Sequence, residues 1–209
     1  MKLTNVNVNR KSYTGVIRVL KDVSVEFNRR INVIYGRPGS GKTTLIQVLA
    51  GLEKPSQGSV ESPDSLMYIL MQVPEKQFIY TTCRQELEYG IGPEGSLKQS
   101  LKNVGLPEDI MDISPWRLSR GEKKRLMLAQ ILNHQSLDRN NNTEKRILLL
   151  DDPFADMDMR GKKLILDRVL NNNRYKVIMT TANKNDTDMI NDNGIDYKLF
   201  EISRGRILA

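Results

Sequence analysis

Apolar and polar residues alternate over 23–27, with Val23, Val25 and Phe27 set against Ser24 and Glu26, the period of a half-buried strand. Val6 and Val8 predict another strand near the N-terminus. Ile31-Asn32-Val33-Ile34-Tyr35 reads as a strand running into glycine. From 43 to 51 the period changes: Leu45, Ile46 and Leu49 fall at helical spacing, and Gly51 marks a helix stop. The run 66–71 is continuously apolar, as in a strand covered on both faces.

Between 73 and 115, proline and glycine punctuate short amphipathic pieces at 82–88, 96–104 and 107–111, which predict a small helical insert. Ser119, with Glu122 three residues on, carries a capping-box pattern ahead of a helix continued by Leu126, Leu128, Ile131 and Leu132. Ile147-Leu148-Leu149-Leu150 is a buried strand ending in two aspartates. A helix at 161–170, a strand at 176–180 and a closing hairpin (195–201 and 206–208, turning on Ser203-Arg204-Gly205) complete the pattern. Strands alternating with helices imply a mainly parallel sheet with crossover helices. The asparagine triplets at 140–142 and 171–173 read as surface loops.

The length of 209 residues is that of one domain with room for a real core. One cysteine excludes an internal disulfide, and thus a small disulfide-bonded scaffold. No apolar stretch approaches the ~20 residues of a membrane-spanning helix, and the N-terminus lacks the apolar core of a signal peptide. A soluble, cytoplasmic protein is therefore expected. The net charge of +7 fits phosphate-bearing partners only weakly, since Lys123-Lys124-Arg125 is the one tight basic run and a solvated helix face explains it as well. His134, the only histidine, lacks partners for a metal site, and Cys83 reads as a small helix residue.

Candidate chemistry begins at Gly36-Arg37-Pro38-Gly39-Ser40-Gly41-Lys42-Thr43, which fits the phosphate-binding pattern G-x-x-x-x-G-K-[ST] without deviation. A preceding strand and a following helix supply its required context. Glycines let backbone N–H groups approach phosphate oxygens, and the helix N-terminus faces the anion. Lys42 is expected to reach the outer phosphates and Thr43 to ligate Mg²⁺, with Thr44 beside it. Asp151, at the end of its strand, is the metal-side carboxylate, and Asp152 stands where a water-activating carboxylate would. A calcium loop over 151–158 is excluded because the required glycine and distal glutamate are missing.

With these residues the chain resembles, over essentially its whole length, the nucleotide-binding subunit of ATP-binding cassette (ABC) transporters. Tyr13 lies 29 positions before Lys42, where the family places an aromatic under adenine, an ordinary strand tyrosine being the alternative. Gln72 follows the 66–71 strand like the family's glutamine loop, which implies a metal and catalytic role. Leu118-Ser119-Arg120-Gly121-Glu122 resembles the signature L-S-G-G-Q, placing Ser119, Gly121 and Glu122 against ATP. Ala155-Asp156-Met157-Asp158 resembles the segment that crosses the dimer interface. Gln72-Val73-Pro74-Glu75-Lys76-Gln77-Phe78 and 86–90 are similar to the energy-coupling-factor subfamily, which drives vitamin and metal-ion uptake.

The resemblance implies an α/β P-loop NTPase of the ABC ATPase fold: a single domain over 1–209, with a mainly parallel core sheet, N-terminal antiparallel strands and a helical sub-domain at 73–114. It implies Mg-dependent ATP hydrolysis and a head-to-tail dimer, with itself or with a second ABC subunit, sandwiching ATP. It also implies a membrane subunit docked on 73–114, a place at the inner face of the cell membrane, and no nucleic-acid partner. The alternative is a soluble ABC-type ATPase that uses ATP-gated dimerisation in nucleic-acid maintenance. Three positions depart from the family. Asp152 replaces glutamate, Arg120 replaces the first signature glycine, and Ala182 stands where a switch histidine is expected. Aspartate withdraws its carboxylate by about one C–C bond, ~1.5 Å, and misplacement near 1 Å costs roughly 10²-fold in rate, so slow hydrolysis is expected.

Overall fold

The computed structural model describes residues 1–13, 15–92, 96–133 and 146–208. His134 and the 140–142 triplet lie outside them. The chain runs β1 (Lys2–Ser12), β2 (Gly15–Glu26), β3 (Ile31–Tyr35), α1 (Lys42–Leu49), β4 (Gln57–Glu61), β5 (Met67–Leu70), α2 (Cys83–Ile91), α3 (Leu97–Asn103) and α4 (Arg120–Asn133). It continues through β6 (Arg146–Leu150), α5 (Met159–Ile165, extended by a π turn at Leu166–Leu170), β7 (Tyr175–Thr181), α6 (Lys184–Asp192), β8 (Lys198–Ser203) and β9 (Arg206–Leu208).

Six strands form one sheet in the order β5-β6-β7-β3-β8-β9, parallel except for the terminal β8–β9 hairpin. Its central strands are apolar on both faces, and period-2 alternation sends successive residues to opposite sides. Leu148 and Leu150 of β6, Val177 and Met179 of β7, and Ile31 and Val33 of β3 join one core cluster. Ile147, Leu149, Ile178 and Ile34 join a second cluster with α1 and the N-terminal strands. A separate antiparallel sheet, β2-β1-β4, caps that second side. Phe27 and Phe200 meet edge-to-face there, 5.2 Å between ring centroids.

The first cluster also takes in the helical stretch between β5 and α4: Phe78, Cys83, Leu87, Leu101, Val104 and Ile110 pack with Leu126 and Leu128 of α4. Thr82 and Ser96 cap α2 and α3 by accepting hydrogen bonds from Gln85 and Gln99 N–H. The predicted helix at 107–111 is a 3-10 turn, Glu108–Asp112. Cys83 is buried at the start of α2, and burial pushes its thiol up to about 11. Among the described residues no helix is long and apolar enough to cross a membrane.

Three features differ from the pattern reading. β1 and β2 run well past the half-buried alternation, because beyond Arg10 and before Val19 their described residues are exposed and paired strand to strand in an antiparallel ladder. β4 was not anticipated: Gln57-Gly58-Ser59-Val60-Glu61 is polar and exists through antiparallel pairing with β1. α6 was not anticipated either, since Met189 and Ile190 are its only large apolar residues. It is fixed instead by the Asn183 cap and by buried Asp186 and Thr187.

Candidate functional site

β3 ends at Tyr35, and the chain turns through residues 36–41 into α1. Two glycines make the turn possible. A Cβ on Gly36 would lie 2.5 Å from the Ile202 carbonyl oxygen and 2.6 Å from Ser40 Oγ. Gly41, at φ +107°, is the N-cap of α1 in a backbone region that side chains disfavour. Lys42 folds back over the loop, its Nζ donating to Gly36 O at 2.7 Å and Arg37 O at 3.1 Å. Burial lowers the Lys42 pKa, opposed by Asp152 and Asp151.

A cleft of about 330 Å³ opens in front of this loop. Pro38, Gly39, Gly41, Lys42, Thr43 and Thr44 line one wall, and Gln72, Asp151, Asp152 and Ala182 line another. Parallel pairing explains the meeting: β5, β6 and β7 end side by side, delivering Gln72, the aspartate pair and Ala182 to one sheet edge beside β3. Ligand sites of open α/β sheets lie at this carboxyl edge. Gly36, Arg37 and Ser40 do not line this cleft, and Arg37 and Ser40 line a separate hollow with Glu201 and Arg204.

Asp151 is buried, and its Oδ1 accepts a 2.8 Å bond from Thr180 Oγ1, while Oδ2 is buried with no hydrogen-bond partner. An orphaned carboxylate oxygen is costly in a closed core and usual where a cation belongs. Thr43 lines the same cleft. A carboxylate and a hydroxyl are the hard oxygen donors Mg²⁺ takes, with phosphates and water completing the shell, so the residues fit that ion. Asp152 adopts φ +50°, its N–H donating to Thr180 Oγ1 at 3.0 Å. Its pKa is raised, chiefly by burial, against the pull of Lys124 and Lys42.

Ser119, Gly121 and Glu122 do not line the cleft. They open α4, where the capping box forms: Glu122 Oε2 accepts from Ser119 N–H at 2.8 Å and from its hydroxyl at 2.7 Å. Glu122 is thus occupied within its own helix turn, and these bonds lower its pKa. Arg120 stands 3.7 Å from Asp156, within the same chain.

Tyr13 is fully exposed at the hairpin tip and does not line the cleft. The hairpin residues that do are Arg10 and Val19. Glu53 and Gln47 hold the Arg10 guanidinium: Nε donates to Glu53 Oε1 at 3.1 Å, and Nη2 donates to Glu53 Oε2 and, at 3.3 Å, to Gln47 Oε1. Sequence reasoning missed Arg10 because only the pairing register turns it toward the loop. It also missed Lys124, which is wholly buried and donates from Nζ to Asp152 O and Ala155 O, both at 2.7 Å.

Comparison with known proteins identifies the family. A family described as ABC transporter matches residues 20–155. The chain is 32% identical over 232 aligned positions to an energy-coupling factor transporter ATP-binding protein of Caldanaerobacter subterraneus subsp. tengcongensis, covering 99% of this chain and 77% of that protein. To its counterpart in Acetivibrio thermocellus it is 32% identical over 188 positions, covering 79% of this chain and 63% of the relative. A dimeric ATP-binding cassette solved with ADP and Pi superposes over 100% of this chain and 96% of its own, with TM-score 0.72 at 20% identity. The cbiO1 subunit of Clostridium perfringens covers 100% and 86%, with TM-score 0.68 at 23% identity. The chain belongs to the ABC transporter family and stands among relatives of the energy-coupling factor ATP-binding proteins.

Proposed function

We propose that this chain is the ATP-binding and ATP-hydrolysing subunit of an importer of the energy-coupling-factor type. The observation that carries the reading is the cleft itself, where Lys42 and Thr43 face Gln72, Asp152 and the unpartnered Asp151 Oδ2. The names of the relatives favour transport over nucleic-acid maintenance.

On binding, phosphate oxygens replace the Gly36 and Arg37 carbonyls as acceptors for Lys42, and the start of α1 adds N–H groups and its dipole. Arg10, a plane held by Glu53 and Gln47, is positioned to cover the nucleobase, a contact guanidinium makes well with an aromatic ring. Thr43 and Asp151 would hold Mg²⁺, which supplies charge neutralisation between the outer phosphates when bound. Asp152 and Gln72 orient the attacking water. The shorter Asp152, with Ala182 in place of a histidine, makes turnover slow.

The signature residues Ser119, Gly121 and Glu122 lie outside their own chain's cleft, so a second cassette, identical or not, brings its signature helix to the nucleotide in a head-to-tail dimer. The 73–114 helical sub-domain carries the membrane contact. Val73, Ile79 and Tyr89, with Trp116 just beyond it in the chain, are large apolar residues left exposed there for such a contact. That contact places the chain peripherally on the inner membrane face. Purification from mild detergent is expected to recover an integral membrane protein with the chain. Ile79→Asp is expected to lose that protein while ATP binding stays intact. Recovery of the chain with nucleic acid and no membrane protein would overturn the transport reading.

A further inference from the structure

Two adjacent lysines of α4 reach in different directions. Lys123 Nζ meets Glu75 Oε1 at 2.7 Å, gripping the 3-10 turn Pro74–Lys76 just beyond Gln72. Lys124 is wholly buried, and its ammonium bonds backbone carbonyls rather than carboxylates, those of Asp152 and Ala155. A buried lysine is costly unless its donors are used. Here they are used on the turn that begins at Asp152.

Asp152 sits at φ +50° and Asp156 at φ +61°, so the turn departs from ordinary backbone twice within five residues. Such conformations persist only where the surroundings fix them. Three bonds fix Asp152: its N–H to Thr180 Oγ1, its carbonyl from Ala155 N–H at 3.3 Å, and the same carbonyl from Lys124. The first two belong to the sheet edge and to the turn itself. Lys124 ties the Asp152 end of the turn to the signature helix, while Arg120 stands beside Asp156 at its far end. Asp151, by contrast, is held by strand pairing, through its N–H to Leu70 O at 2.8 Å, and by Thr180.

We propose that Lys124 is a positioning residue for Asp152, fixing the left-handed turn that aims the Asp152 carboxylate into the cleft, so that ATP turnover depends on it while ATP binding does not. The inference rests on the reading of the chain as an ATPase. Among the described residues, no hydrogen bond joins Lys124 to Lys42 or to the 36–43 loop.

The test is steady-state phosphate release and calorimetric ATP titration on the wild-type chain and on Lys124→Met, Lys124→Gln and Lys124→Arg, each checked for thermal melting. Lys124→Met is expected to lower kcat about tenfold or more, the scale that a misplacement near 1 Å produces, with the ATP dissociation constant within about twofold of wild type. Lys124→Arg, which keeps the charge and several donors, is expected to recover most of the rate. Lys124→Gln, with one amide group to offer, should fall between them, and it carries the test if the methionine variant does not fold. Wild-type kcat in the methionine or glutamine variant would overturn the proposal. So would a loss of ATP affinity that matches the loss of rate, or an arginine variant as slow as the methionine one. A wild-type chain that binds ATP without turning it over, both alone and with the second cassette it is recovered with, would overturn the ATPase reading itself, and this inference with it, before any variant is compared.

Discussion

On one side of the cleft stand a glycine-hinged loop, the start of α1 and the ends of three parallel strands, the strands fixed by sheet pairing. On the other side stand two residues, Arg10 and Val19, of an antiparallel hairpin whose outer half is solvent-exposed. The loop must be glycine-rich and must carry a lysine, because phosphate is bound through close backbone approach and charge. The hairpin has only to present a flat surface, which a tyrosine, a tryptophan or a guanidinium supplies equally. Chemistry that tolerates few residue types leaves a readable pattern, and chemistry that tolerates many does not.

The largest expected effect lies on the loop side. Lys42→Ala is expected to weaken both Mg-ATP and Mg-tripolyphosphate by about tenfold or more, at least ~1.4 kcal/mol, in calorimetric titration. On the hairpin side, Arg10→Ala is expected to weaken ATP about fivefold, the scale of a ~1 kcal/mol cation–π contact. Tripolyphosphate affinity is expected to stay as in wild type, because Glu53 already balances the Arg10 charge. Tyr13→Ala should change neither. Loss of ATP affinity in the Tyr13 variant alone would reverse the comparison, assigning the base to the hairpin tip.

This contrast also marks how far the sequence reached. The loop at 36–43, Asp151 at the end of β6 and the capping box at Ser119 and Glu122 were legible because each is a local pattern with a local cause. Gln72 and Ala182 were placed through resemblance, and the parallel register brings both to the cleft. Arg10 and Lys124 were not legible. Arg10 is one of several exposed charges in its strand, and Lys124 is one of three consecutive basic residues that read as a solvated face. Burial of Lys124 follows from what α4 packs against, the 152–155 turn, and that is long-range information. The polar helix α6 escaped for a related reason: its stability comes from a cap and buried polar contacts rather than from an apolar stripe.

A smaller effect is expected at the catalytic end. Asp152→Glu combined with Ala182→His should raise the steady-state ATPase rate several-fold, in the range a repositioned carboxylate can restore. No gain, in a double variant that still binds ATP, would mean that the withdrawn carboxylate does not limit turnover. The smallest effect concerns the signature helix alone. Ser119→Ala removes the acceptor for Glu122 N–H and the hydroxyl's hydrogen bond to the Glu122 carboxylate. The retained Ser119 backbone N–H keeps part of the box, so a loss of about 1 kcal/mol in denaturant unfolding is expected.

The decisive measurement is a competition titration on the wild-type chain: Mg-tripolyphosphate first, then Mg-ATP added to the saturated protein, both followed by calorimetry. Phosphates held by Lys42 and the 36–43 loop, with the nucleobase covered separately by Arg10, require that tripolyphosphate bind at one site per chain. They require further that ATP displace it and bind more tightly. Failure of tripolyphosphate to bind, or ATP binding indifferent to its presence, would contradict the assignment of this cleft as the triphosphate site.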